Sequence, residues 1–295
     1  MKTRRPQTLP FHLFPYSSPR GSWEFLLAPP PPDLVGIVEA FWISRGAVTF
    51  LHEKILPQNN IELMFNLARP FGVPNRPPVN RTFRRAWISG MQQEWLLVTP
   101  QYDTSQPSYL LSVRMPPSGA YRVLGMPLQE VALNVIELDD VLGDEVNAVH
   151  EQLCNCAEPG QQFGILCDFV RRRLARSRVR LRADALLAIA ALARSHGAAR
   201  IEEICRSLGV SRKHLRALLQ AHVGLSPKSY ARMFRFRRVV DLVHSRAREP
   251  DWVHLAMACG YFDQSHFNRE FRAFAGMTPG EFATSGSVDG LTVLE

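Results

Sequence analysis

A chain of 295 residues, 46% hydrophobic and 21% charged, has material for two domains with cores of their own. No apolar run approaches the roughly 20 residues of a bilayer span. Its five cysteines, an odd number, do not read as a disulfide framework, so no membrane association and a reducing cytoplasm are expected. The net charge of +8 is uneven. Residues 1–170 carry 13 Lys/Arg against 16 Asp/Glu, whereas residues 171–285 carry 22 against 9, so a polyanion would meet only the C-terminal third.

The start, MKTRRPQTLPFHLFP, is basic, but prolines interrupt it before a secretory apolar core can form, and no signal peptide is read there. Residues 1–35 are proline-rich and are expected to form an irregular arm. Residues 36–175 are expected to form a β-rich sensor or dimerisation domain with trailing helices. Its strand-like runs are VEAFWIS (38–44), KILPQNNIELMFNL (54–67), AWISGMQQEWLLV (86–98) and YLLSVRMPPSGAYRVLG (109–125), rich in β-branched and aromatic residues. Such runs with no helices between them predict an antiparallel sandwich or small barrel. Helical patterns follow in LQEVALNVI, VLGDEVNAVHEQL and QQFGILCDFVRRRL, and the arginine-rich stretch 171–182 marks the expected boundary. Beyond it, residues 183–285 read as an all-α domain. The fold class is thus a two-domain α+β protein, mainly β sandwich or barrel first and an all-α double helix-turn-helix second.

The second half carries an internal duplication. Ser211, Leu215, Leu219, Gly224, Ser226, Pro227 and Tyr230 recur as Asp263, Phe267, Phe271, Gly276, Thr278, Pro279 and Phe282, each 52 residues on. Upstream, Ile204, Cys205 and Gly209 recur as Leu255, Ala256 and Gly260 at a step of 51. Each unit reads as a helix with a small residue, a glycine turn, and a capped amphipathic helix, which is the pattern of a helix-turn-helix. Between the units, Pro227 suits a helix start, and a rod running to about Arg246 would span roughly 30 Å. That is close to the 34 Å between successive major-groove faces on one side of B-DNA.

The run GYFDQSHFNREFRAFAGMTP, with IEEICRSLGVSRKHLRALLQAHVGLSP before it, resembles the DNA-binding domain of the AraC/XylS family of transcription regulators. PPPPDLVGIVEAFWIS, ILPQNNIELMFNL and VLGMPLQEV more weakly resemble an uncharacterised sensor-type domain that precedes such modules. The resemblance implies a sequence-specific regulator with double-stranded DNA as its partner, and leaves room for an RNA polymerase contact, a small-molecule or protein effector, and a homodimer. Carried over position by position, it implies that Lys213, Arg216, Gln264, Ser265, Asn268 and Arg269 touch bases or nearby phosphates. Helical spacing adds Arg212, Gln220 and Arg272 to the outward faces and turns Leu215, Leu218, Leu219, Phe267, Phe271 and Phe274 inward. Arginine reads guanine, and Asn or Gln reads adenine, in the major groove. Ala217 offers only a methyl group. His214 and His266 are expected to have structural or phosphate roles. Arg232, Arg235, Arg237 and Arg238 would solvate the linking helix or meet phosphates.

No catalysis is legible. Cys154, Cys156 and Cys167 lack the second ligand pair of a zinc-held methyl-accepting cysteine, and His12, His52 and His150 are scattered. No metal or cofactor is expected, and a DNA-alkylation-repair reading is weak. A weakly specific nucleic-acid-associated scaffold stands as the alternative to a regulator. Trp42, Phe65 and Trp95 read as core, with an apolar pocket as the alternative.

Overall fold

The computed structural model describes residues 8–18, 21–48, 52–68, 70–75, 81–100, 107–245, 250–285 and 292–294. The first half is built on two antiparallel sheets. One has seven strands in the order β1 (His12–Ser18), β2 (Gly21–Ala28), β3 (Ala40–Val48), β10 (Ser108–Met115), β5 (Ile61–Asn66), β8 (Ala86–Ser89) and β11 (Val135–Glu137). The other has five, in the order β12 (Thr292–Leu294), β4 (Glu53–Ile55), β9 (Leu96–Pro100), β6 (Phe71–Val73) and β7 (Arg81–Phe83).

Alternation along the strands gives the larger sheet two buried faces, because successive side chains point to opposite sides. Phe41, Ile43, Leu63, Phe65, Leu111 and Val113 face the main core. Leu111 lies opposite Ile43 on one side and Phe65 on the other. Helix α4 (Pro159–Arg176) covers this face, placing Phe169 edge-on to Phe65 with centroids 6.0 Å apart. Trp42, Met64 and Trp87 point the other way and pack with Phe71, Val73, Phe83 and Leu96 of the smaller sheet. The sandwich alternative is therefore the observed one.

Helices α1 (Pro117–Leu124), α2 (Leu138–Leu142) and α3 (Glu145–Cys154) complete this half. The second half contains α5 (Ala183–Arg194), α6 (Ile201–Leu208), α7 (Arg212–Val223), α8 (Pro227–His244), α9 (Trp252–Ala258), α10 (Gln264–Ala275) and α11 (Pro279–Thr284). Its core joins the two repeats across α8. Phe236 of α8 lies 5.2 Å from Phe271 and 4.8 Å from Phe274 of α10, ring centroid to ring centroid. Strand β12 then returns beyond α11 to pair with β4, setting Val293 opposite Lys54.

Several expectations are corrected. Strands β1 and β2 pair antiparallel where an irregular arm was expected, and β2 is paired with β3 along its length; residues 1–7 and 19–20 lie outside the described residues. Pro15 is compatible with β1 because β1 is an edge strand, whose outward-facing N–H groups make no ladder bond. The run 109–125 is a strand only to Met115. Pro116 and Pro117 then start α1, since proline's fixed φ suits a first helical turn. LQEVALNVI is not a helix but a 3-10 turn, Leu128–Glu130, followed by β11. Helix α4 extends through the expected boundary to Arg176, leaving only residues 177–182 without helix or strand.

Candidate nucleic-acid interface

The two repeats place two helices in the same local setting. Ser211 caps α7 by accepting the amide N–H of His214 at 3.1 Å, and Asp263 caps α10 by accepting that of His266 at 2.6 Å. These short side chains satisfy donors that an uncapped first turn would leave orphaned. Leu215, Leu218 and Leu219 on α7, and Phe267, Phe271 and Phe274 on α10, are buried at the expected positions. The small Cys205 and Ala256 are buried on the preceding helices, where bulk would hold the helices apart.

What remains is two exposed polar faces. Arg212, Lys213 and Arg216 on α7, and Gln264, Ser265, Asn268, Arg269 and Arg272 on α10, are all exposed, and neither face is packed against the other. Arg212 is engaged on the surface, its Nη2 2.8 Å from Glu202 Oε1. Such an exposed pair contributes little and is readily exchanged for another anion. Gln220 is half-buried and Ala217 exposed.

Each histidine makes a contact within the chain, His214 on the surface and His266 half-buried. His214 Nε2 lies 3.4 Å from Asp184 Oδ2 on α5. Arg182 beside Asp184, helped by that histidine, holds the carboxyl well below the usual carboxylate range. His266 accepts the amide N–H of Phe262 through Nδ1 and sets Nε2 3.5 Å from Glu270.

The arginines of α8 were expected to face solvent or phosphate; two turn inward instead, and Arg237 pairs on the surface. Arg232 Nε donates to Glu270 at 2.6 Å, and Arg235 donates to the Gly197 carbonyl at 3.0 Å and sits 5.7 Å from the centre of the Tyr261 ring. Arg237 donates to Asp241 at 2.7 Å, one turn along. Glu270 is itself only 9% exposed, and a buried carboxylate needs such partners. Arg246, the expected end of the rod, lies outside the described residues, and α8 is described over 18 residues, or about 27 Å.

Two features were not foreseen. Phe262, just ahead of the α10 cap, is 89% exposed, although its neighbour Tyr261 is buried. The second is the contact between the two halves. A Cβ on Gly224, which ends α7 at φ +87°, would lie 2.7 Å from the Ala132 Cβ and 2.9 Å from the Leu128 carbonyl oxygen. On Gly276, which ends α10, it would lie 2.2 Å from Trp95 Nε1. The repeat makes these glycines equivalent, so the β-rich half abuts the same corner of both units. No single-sequence signal marked Leu128, Ala132 or Trp95 for this.

Trp42 lines a cavity of about 370 Å³ between the two sheets, together with Glu62, Arg114 and Gln92. Phe65 is in the main core instead, and Trp95 lies under Gly276 with the Lys54 ammonium 4.7 Å from its ring centre. Among the described residues no cluster of His, Cys, Asp or Glu could hold a metal ion, and no helix is long and apolar enough to cross a membrane.

Residues 204–285 match a family model described as a helix-turn-helix domain. This region resembles the helix-turn-helix domains of AraC-type regulators. Ahead of this AraC-type domain, residues 27–137 match a family described only as a domain of unknown function, DUF6597. The HTH-type transcriptional activator RhaS of Escherichia fergusonii is 31% identical over 80 residues, which are 27% of this chain and 28% of that protein. The chain thus spans little more than a quarter of the curated relative it matches. Among solved structures, ToxT of Vibrio cholerae bound to an unsaturated fatty acid aligns over 79% of this chain and 91% of its own, with 15% identity and a TM-score of 0.46. A Chromobacterium violaceum regulator with an AraC-type DNA-binding domain covers 33% of this chain and 87% of its own, with 24% identity and a TM-score of 0.30.

Proposed function

We propose that the protein is a sequence-specific DNA-binding transcription regulator, without enzymatic activity, whose β-rich half receives a small-molecule signal. Helices α7 and α10 each enter a major groove, about one duplex turn apart, with α8 as the strut between them. Arg216, Gln264, Asn268 and Arg269 read base edges, while Arg212, Lys213, Ser265 and Arg272 contact phosphates or neighbouring bases. The observation that carries this reading is the pair of capped helices, 52 residues apart in repeat, that keep polar faces exposed over buried Leu and Phe seams. The arginines of α8 that are satisfied internally stiffen the strut rather than add to the footprint.

The cavity between the sheets supports the receiving role, and the corner contacts at Gly224 and Gly276 supply a route from that half to both reading helices. A ligand can shift DNA affinity only through unequal affinity for two arrangements of the halves. The reading implies a cytoplasmic protein.

The test is selection of bound sequences from random duplexes by the full chain, followed by titration of the selected site against scrambled DNA at a stated salt concentration. A regulator is expected to prefer its site by about a thousandfold or more. A ratio near one would instead identify a weakly specific nucleic-acid scaffold.

A further inference from the structure

The arginine-rich stretch 171–182 is not one uniform surface. Arg171 pairs with Asp33 and Asp168, Arg172 and Arg176 with Glu145, and Arg182 with Asp184. Arg173 donates to the carbonyls of Val123 and Leu124. Arg178 and Arg180 remain. Both are exposed, and neither has an ion-pair or hydrogen-bond partner among the described residues.

These two belong to residues 177–182, the segment without helix or strand between α4 and α5. Burial alternates along it: Ser177, Val179 and Leu181 are half-buried, whereas Arg178, Arg180 and Arg182 are exposed. Ser177 and Arg182, at its two ends, both have extended backbone angles. A period of two is that of extended backbone, so the three arginines share the outer side, about 6.6 Å from one to the next.

The segment runs alongside α7. It starts at the C-terminus of α1, where a Cβ on Gly125 would lie 3.7 Å from Ser177 Oγ, and α1 stacks Tyr121 on His222 in the last turn of α7. It ends at the first turn of α7, where Asp184 Oδ2 lies 3.4 Å from His214 Nε2. Six extended residues reach about 20 Å. The 12 residues of α7 rise about 18 Å, so the two lengths agree. Around the helix, His214 lies about 100° from Lys213 and about 60° from Ala217, and the segment therefore borders the outward face that carries Lys213 and Arg216.

We propose that residues 177–182 form a third element of the DNA interface, in which Arg178 and Arg180 each contact a backbone phosphate beside the groove that α7 enters. This rests on the DNA-binding reading and extends it to a segment outside both repeats. Phosphate is the partner rather than a base edge, because long exposed side chains with nothing to orient them supply charge without the fixed geometry of base readout. Asp184, at the end of the segment, is matched by Arg182 and adds little repulsion. Such contacts release counterions and raise affinity on any sequence.

The experiment compares the full chain with Arg178→Gln/Arg180→Gln, on the duplex chosen by site selection and on a scrambled one, by fluorescence anisotropy over a series of salt concentrations. The slope of log affinity against log salt is expected to become shallower by about 1.8, two contacts at about 0.9 each, equally on both duplexes. Each single variant should lose about half of that, which keeps the test if the double variant misfolds. Arg84→Gln/Arg85→Gln removes the same charge from exposed positions in the β-rich half and should leave the slope as it is. An unaltered slope in the linker variants, an equal change in the control, or a loss confined to the selected duplex would overturn the proposal. Scrambled DNA requires no sequence preference, so the linker is tested even if site selection fails.

Discussion

Tyr121 of α1 and His222 of α7 stack with ring centroids 4.4 Å apart and planes inclined by 27°. His222 is 3% exposed and hydrogen-bonds the Leu218 carbonyl through Nδ1, so the stack sits where the last turn of α7 meets the β-rich half. Two residues on, Gly224 touches Leu128 and Ala132. Gly224→Ala should therefore combine a left-handed backbone penalty of about 1–2 kcal/mol with a clash that separates the halves. Gly209→Ala is the control, because φ is +66° there but nothing lies within 4 Å of the added Cβ. Thermal unfolding is expected to show a clearly larger loss for Gly224→Ala. Equal losses would mean that the contact between the halves adds nothing to stability.

The AraC-type domain was legible because its signals are local: cap residues, glycine turns and a 3.6-residue apolar period all act within a dozen residues. The errors lie where long-range placement decides. Pro15 breaks a central strand but not an edge, and edge position is a property of the whole sheet. Arg232 reads as surface until Glu270, 38 residues away, is brought against it. The burial of Gln92 gave no signal at all, since its amide is held by carbonyls at 90 and 134 that only the fold brings together. The cavity was half legible. Trp42 lines it, but Phe65 and Trp95, grouped with it by residue type, point elsewhere.

Arg269 is exposed on the first turns of α10, where a guanidinium can meet guanine O6 and N7. Arg269→Ala is expected to reduce discrimination at one or two base pairs by about 1–3 kcal/mol, measured as the ratio of affinities for the selected site and single mismatches. A uniform loss on every duplex, with a shallower salt dependence, would make it a phosphate contact.

Phe262 has 89% of its surface exposed and contributes almost nothing to the core. Phe262→Ala should leave the melting midpoint within the range of about 0.5 kcal/mol usual for surface changes. On the proposed docking of α10 in a major groove, however, the ring would lie beside the helix N-terminus, where an apolar group can meet a thymine methyl. The variant should lose affinity for the selected site, and replacing the relevant thymine by deoxyuridine should remove the difference. Unaltered affinity on both duplexes would exclude Phe262 from the DNA contact.

Cys167 is fully buried in α4, and burial pushes its thiol up to about 12. Because the thiolate is the reactive form, Cys167 should resist iodoacetamide at pH 8 in the folded chain. Cys205 and Cys259 are buried as well, and exposed Cys154 should react first, although burial and Glu151 raise its thiol too. Mass mapping of modified peptides before and after denaturation checks the order. Early modification of Cys167 would show that α4 leaves the sheet readily in the native chain.

Glu270 joins the second unit to the strut. It accepts from Arg232 at 2.6 Å, lies 3.7 Å from Arg235, and has His266 at 3.5 Å. His266 in turn receives the backbone N–H of Phe262, so the chain of contacts runs from α8 to the base of the reading helix. Removing the carboxylate leaves Arg232 partly buried without its anion, a loss of about 3 kcal/mol for such pairs. Glu270→Leu should lower the unfolding midpoint accordingly, whereas Glu270→Leu with Arg232→Met should recover much of the loss, since a well-packed apolar pair can replace a buried ionic one. DNA binding separates the two roles. If the ion pair also aims α10, the restored double variant will be stable yet weaker on its selected site. Full recovery of both stability and affinity would reduce the pair to a packing element.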